Sequence, residues 1–350
     1  MNTTLTSLPA GELRPALTEP YTSAHLVRWC AAQQNWDKIH YDLEYAREFA
    51  GLPERVINGA LKQHLLARYL VDSFDASARI VRLNYKFTGP DFVGERLELR
   101  GRVLRTESLG DHRFAHVELE IGNPAQAKTT TTSTAILMLD TPSWQSVDWG
   151  SLPPQWRLDE VVGADDDDAV PREVRDLLGR DDEQLRSYCA LDASRLRLFA
   201  DAVQGLRAWH FDSNAAAAAG LETLVAPDLF PIHAIEAEPG TLPLSQERSA
   251  IGREAVSEVG RNFARRFGFP ANGMVNGGNE TEIHSLLRLG ETACAVSRLL
   301  SARVKPGARG GDMLFMTSLN TYRTTTGRLL MREKQLGIYR NFNVAAPAAL

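Results

Sequence analysis

The 350-residue chain carries one short signature twice. Residues 39–52 read Ile-His-Tyr-Asp-Leu-Glu-Tyr-Ala-Arg-Glu-Phe-Ala-Gly-Leu, and residues 209–221 read Trp-His-Phe-Asp-Ser-Asn-Ala-Ala-Ala-Ala-Ala-Gly-Leu. Each copy has a histidine, an aromatic and an aspartate, then a short helical stretch that ends in Ala-Gly-Leu. The two histidines, His40 and His210, stand 170 positions apart. A repeat of this spacing implies two similar domains in tandem, which constrains the fold before any single element is read. The implied boundaries are 1–140 for the first domain and 186–350 for the second. The acidic, Pro- and Trp-containing segment 141–185 is read as a linker, and its run Asp165–Asp168 as a solvated stretch rather than a cation site.

Each half reads as a helix followed by about four strands. In the first half, Asn58 stands where a helix cap belongs and Gly59 opens an apolar run through Leu65, Leu66, Tyr69, Leu70 and Val71. Its apolar positions fall on most sides, so a buried helix is expected. Val81, Leu83, Tyr85 and Phe87 then alternate with polar residues, as do Leu97, Leu99 and Val103, and Ala115, Val117, Leu119 and Ile121. Period-two alternation marks an antiparallel sheet with one buried face. Gly110-Asp111 is read as a turn, and Thr130 to Leu139 as a fourth strand. In the second half, strands are expected near 274–285, 290–304, 312–323 and 328–340, with a buried helix from about Ser249 to Phe267. This is an α+β chain in which two antiparallel sheets each wrap a long central helix.

Composition narrows the function classes. The net charge of −5 gives no basic face for nucleic acid. Cys30, Cys189 and Cys294 share no metal-ligand spacing and suggest no disulfide framework, so a reducing cytoplasm is expected. Met1 to Glu19 lacks signal-peptide features, and no stretch approaches the ~18 apolar residues of a membrane helix. There is no Gly-rich phosphate loop, nucleophile elbow or metal cluster in the pattern, so no cofactor and no metal are expected. His64 and His112 carry no supporting motif and are read as ordinary histidines.

The stretch Asn35-Trp36-Asp37-Lys38-Ile39-His40-Tyr41-Asp42, followed by Val56-Ile57-Asn58-Gly59 and by Phe92-Val93-Gly94-Glu95, resembles the MaoC-like (R)-specific enoyl-CoA hydratase family. That family has Asp-x-Asn-Pro-(Leu/Ile)-His, a short helix, and a Gly at the start of the central hotdog helix. The second half resembles the companion dehydratase domain fused to it, through Phe199 to Ala202, His210, Ala226-Pro227, Asn276-Gly277-Gly278 and Leu289-Gly290-Glu291. The resemblance implies a double hotdog acting as hydratase or dehydratase on an acyl thioester linked to CoA or a carrier protein. It also implies a monomer or a homodimer of tandem hotdogs as the assembly. Where the family places its catalytic Asp, this chain has Asn35 in the first half and Gly205 in the second. Some members related to mesaconyl- or itaconyl-type hydratases resemble the Asn-containing version. In fused relatives the degenerate half usually comes first, and here the order is reversed.

The chemistry assigns roles to four residues. His40 is the expected base at the β-carbon, since an imidazole accepts and returns a proton near neutral pH. Asn35 holds the water, and Asp37 is the nearest carboxylate in sequence, either orienting the imidazole or facing solvent. Gly59 offers its N–H at the positive end of the helix to the thioester oxygen, or simply makes a tight turn. Asn58 is expected to cap the helix rather than bind substrate, and His210 to be structural. Two other readings are a non-catalytic acyl-thioester binding protein, suggested by the lost acid in both halves, and a hotdog thioesterase.

Overall fold

The computed structural model describes residues 11–74, 77–164, 169–205, 207–235, 253–254, 274–307 and 311–340. The first half opens with α1 (Ser23–Gln33), capped by the Thr22 side chain, which accepts from His25 N. A 3-10 turn, Lys38–His40, and a helical turn, Tyr45–Phe49, follow. Then comes α2 (Gly59–Ser73), and four strands: β1 (Ala78–Phe87), β2 (Glu98–Leu109), β3 (His112–Asn123) and β4 (Lys128–Leu139). The second half repeats the order with α3 (Ala193–Ala202), a 3-10 turn Ala208–His210, α4 (Ser213–Ala218), β5 (Met274–Ile283), β6 (Ala293–Pro306), β7 (Asp312–Thr324) and β8 (Leu329–Arg340). The strands read from alternation and the turn at Gly110-Asp111 all fall within a few residues of where the sequence puts them.

The two expected sheets are joined into one. The strand order is β2-β3-β4-β1-β5-β8-β7-β6, in a 12-stranded sheet whose other members are two-residue edge strands. β1 pairs antiparallel with β5, from Lys86↔Gly278 to Arg82↔Glu282. Alternation reveals the faces of a strand and nothing about its edges. Left apart, β1 and β5 would each expose a row of unpaired N–H and C=O groups; together they cover one another.

α2 lies against the inner face of the first half. Leu61, Leu65, Leu66, Tyr69 and Leu70 are buried with Leu83, Leu97, Leu99, Val117 and Leu119 in one core. Each fully buried side chain of this size contributes roughly 1.5–3 kcal/mol before entropy is counted. The helix is buried on polar faces as well, at Lys62, Gln63 and His64, which the apolar pattern does not report. The second helix expected near Ser249 to Phe267 lies outside the described residues, except for Arg253–Glu254, whose backbone is extended and pairs with Trp36–Asp37.

The segment between the halves packs onto the sheet over much of its length. Val147, Trp149, Leu152 and Trp156 are buried against Val81, Phe114 and Met138. The Trp149 indole donates to Ile283 O at 3.2 Å, which ties the segment to β5. Farther on, Val170 and Val174 are buried against Leu299, Leu314, Met316 and Tyr339. The acid run Asp165–Asp168 lies outside the described residues.

The repeat extends to backbone detail. Gln34 and Gln204, 170 positions apart, close α1 and α3 with φ of 54° and 55°. Gly94 and Gly290 hold the same left-handed turn, with φ of 92° and 84°. The Gly94 N–H donates to Tyr21 O and the Gly290 N–H to Leu191 O, both at 2.8 Å. A pseudo-twofold axis therefore relates the halves. Trp29 and Phe199 meet near it at 5.5 Å between ring centroids, and so do His64 and His233, whose Nε2 atoms are 3.1 Å apart.

Candidate active site

The site grows from the 3-10 turn that carries His40. Asp37 caps that turn, its Oδ1 accepting from Ile39 N at 3.3 Å. The buried His40 ring lies with Nδ1 2.7 Å from Val56 O. A carbonyl only accepts, so Nδ1 carries the proton and Nε2 keeps its lone pair. The imidazole is thus oriented by a backbone carbonyl, and the Asp37 carboxylate caps the turn. Val56 is itself held in place: its N–H donates to Ile39 O at 3.0 Å, and it bridges Phe92 antiparallel.

Asn35 is fixed by a similar argument. Its side-chain oxygen accepts from Asp37 N at 3.0 Å. The donor is a backbone N–H, so the atom facing it must be Oδ1, which leaves Nδ2 as a donor where the ionised acid of the family pattern has none.

The N-terminus of α2 supplies the third feature. Leu61 N and Lys62 N both donate to Asn58 O, at 3.0 and 3.2 Å. The Gly59 and Ala60 N–H groups have no acceptor among the described residues and lie at the positive end of the helix. A Cβ at Gly59 would stand 2.9 Å from Phe87 Cε2, so only glycine fits there without moving that ring. Asn58 occupies the cap position, but its side chain makes no capping bond. Its amide instead faces Cys30 Sγ, with Oδ1 and Nδ2 each at 4.0 Å. Cys30 O in turn accepts from Asn35 N at 2.9 Å. Cys30 and Val56 thereby link Asn35, His40 and the start of α2 into one neighbourhood. Burial pushes the Cys30 thiol up to about 12, so it stays protonated.

The second half keeps the scaffold and changes the chemistry. His210 Nδ1 lies 2.6 Å from Val225 O, as His40 does from Val56. Burial pushes His210 down to about 4, with the Arg207 charge acting the same way and the Val225 bond opposing. Gly205 stands at the position of Asn35 and offers no side chain. Asp228 stands at the position of Gly59, and its carboxylate is paired with the fully buried Arg79. Where the first half has a glycine without a side chain, the second therefore has a carboxylate held by a guanidinium.

Sequence reasoning singled out His40, Asn35, Asp37 and Gly59 but missed Val56, Cys30 and the part played by Asn58. Val56 and Val225 follow their histidines by 16 and 15 residues, so the repeat held a signal; a backbone acceptor leaves none in its side chain. Among the described residues, no group of three or more His, Cys, Asp or Glu could hold a metal ion. No helix among them is long and apolar enough to cross a membrane.

Two family models match. Residues 9–93 match hydroxyacyl-thioester dehydratase type 2, and residues 186–333 match the FAS1-like dehydratase domain region. The chain has a double hotdog fold, and each half holds a region similar to a dehydratase family. The fold is that of a MaoC-like dehydratase, at TM-score 0.58 and 11% identity over 93% of this chain and 98% of the other. It is also that of a putative MaoC domain protein dehydratase from Chloroflexus aurantiacus, at 0.61 and 11% over 94% of each chain. A conserved hypothetical protein from Mycobacterium tuberculosis with a double hotdog fold aligns at 0.55 and 13%, over 95% of this chain and 97% of that one. No curated protein sequence matches the chain.

Proposed function

We propose that the protein is a hydro-lyase that adds or removes water at an α,β-unsaturated acyl thioester, with its chemistry in the first half. The observation that supports this reading is the His40 ring held through Nδ1 by Val56 O, three residues before α2 begins, on the turn that Asn35 precedes. In hydration, Asn35 Nδ2 donates to the oxygen of a water molecule. That water loses a proton to His40 Nε2 as its oxygen bonds to the β-carbon. The charge that moves onto the thioester oxygen is met by the Gly59 and Ala60 N–H groups. The imidazolium then returns the proton to the α-carbon, and His40 is neutral again. Dehydration runs the same steps backwards.

One base serves both proton transfers, so water adds to a single face of the double bond. General acid–base groups contribute on the order of 10²–10⁴ in rate. An oxyanion donor contributes on the order of 10²–10³. The site therefore suits an already activated thioester, carried on CoA or on a carrier protein.

The test is the loss of enoyl-thioester absorbance with crotonyl-, mesaconyl- and longer enoyl-CoA. His40→Ala should lose at least about 10² in kcat while keeping its fold. A His40→Ala variant as fast as wild type sinks the mechanism. The non-catalytic reading draws support from Asn35 and Gly205, which leave neither half with the family acid; it requires acyl-CoA binding with no turnover on any thioester. A thioesterase would instead release free thiol in the same cuvette.

A further inference from the structure

Asn58 occupies the N-cap position of α2, yet its side chain makes no capping bond. Its backbone carbonyl closes the first turn of α2, but its side chain leaves the turn's N–H groups unbound. The residue is 1% exposed, so its amide is out of reach of bulk solvent. Its contacts are two distances of 4.0 Å to one sulfur, at the outer limit of a sulfur hydrogen bond. A buried primary amide has two donors and an oxygen to satisfy, and leaving them unmet is costly. Capping was available to it and would have met part of that need. The amide faces Cys30, whose carbonyl holds Asn35 N, and its residue lies between Val56, which orients His40, and the Gly59 and Ala60 N–H groups in the chain.

We propose that Asn58 is a substrate-contacting residue whose Nδ2 donates to the thioester carbonyl oxygen, completing with Gly59 and Ala60 a three-donor cradle at the start of α2. The Cys30 thiol has the complementary task. It stays protonated and gives its hydrogen to Asn58 Oδ1, turning Nδ2 toward the ligand. The second half agrees with this assignment, since the corresponding position is Pro227, beside the anion Asp228. The inference rests on the hydro-lyase reading for its chemistry but not for its contact.

Serine and aspartate decide the matter, because both cap helices at least as well as asparagine. The experiment compares wild type, Asn58→Ser and Asn58→Asp by kcat and KM on the best enoyl-CoA and by thermal midpoint. If Asn58 holds the carbonyl, Asn58→Ser loses on the order of 10² in kcat with an unchanged or raised Tm. Asn58→Asp loses more, because it places a negative charge against the developing oxyanion. A Asn58→Ser variant within about twofold of wild-type kcat overturns the proposal. So does a loss of kcat that simply follows a fallen Tm in both variants. Should wild type turn over no thioester, the hydro-lyase reading fails by itself, and the Asn58 contact is read from binding. Titration with butyryl-CoA, which has no double bond to hydrate, then shows at least tenfold weaker affinity for Asn58→Ser. Equal affinities, or no binding to either protein, overturn it.

Discussion

His40 and His210 each meet a backbone carbonyl, but only His40 has an amide side chain, Asn35, five residues before it. Replacing His210 with Gln should therefore leave turnover within about twofold of wild type. It should also lower Tm, since a lost buried hydrogen bond costs about 1–3 kcal/mol. A His210→Gln enzyme with kcat reduced as far as His40→Ala would show that both halves work. Gly59 gives a second contrast. An added methyl would meet Phe87 at 2.9 Å, so Gly59→Ala should lower both stability and kcat. Adding Phe87→Leu should restore the stability, and any kcat deficit that remains measures the displaced helix start. Side-chain identity made His40, Asn35 and Gly59 visible in the sequence. The partners that orient them, Val56 O and Asp37 N, are backbone atoms, which every residue has. Asn58 holds the cap position its residue type predicts, but the missing capping bond of its side chain is visible only in the folded structure.

Between elements, the loop before β2 is fastened to α2 by charge. Lys62 Nζ lies 2.7 Å from Asp91 Oδ2, and Asp91 also accepts from Asn123 at 2.7 Å and Thr130 at 2.8 Å. Asp91 O accepts from Ile57 N at 2.8 Å, next to the carbonyl that orients His40. Neither charge is exposed, so removing one partner leaves the other buried and alone. Lys62→Met should cost about 3–5 kcal/mol, whereas Lys62→Met with Asp91→Leu should recover most of that loss. Denaturant unfolding of the two single variants and the double variant measures this coupling; additive losses would mean that the pair does not act together. Leu83, Leu99 and Val117 were legible as core because alternation marks a buried face. Lys62 and Asp91 were not, because a charged residue in a helix or loop usually marks solvent. The joining of β1 to β5 was equally silent, since edge pairing leaves no period in either strand.

Across the whole molecule, the buried histidines set the response to acid. Burial holds His233 down to about 3, His210 down to about 4, and His64 well below its ordinary value. In the unfolded chain each takes a proton near pH 6.5. As pH falls below that, the unfolded state gains protons that the folded state refuses. The stability these groups confer is present above about 6.5 and drains away toward the folded values. Tm should therefore fall between pH 6.5 and 5, above the range where carboxylates titrate. A His64→Leu/His233→Leu variant should show a shallower fall over the same interval; an equal slope would assign the acid sensitivity elsewhere.

The pairing of β1 with β5 has one further consequence. A symmetric pair of separate hotdogs would present two identical pockets and bind two ligands. Here one chain supplies both halves, so each is free to differ, and the second has Asp228, paired with Arg79, where the first has Gly59. The molecule counts to one: a titration with acyl-CoA should reach its end point at a single molar equivalent per chain.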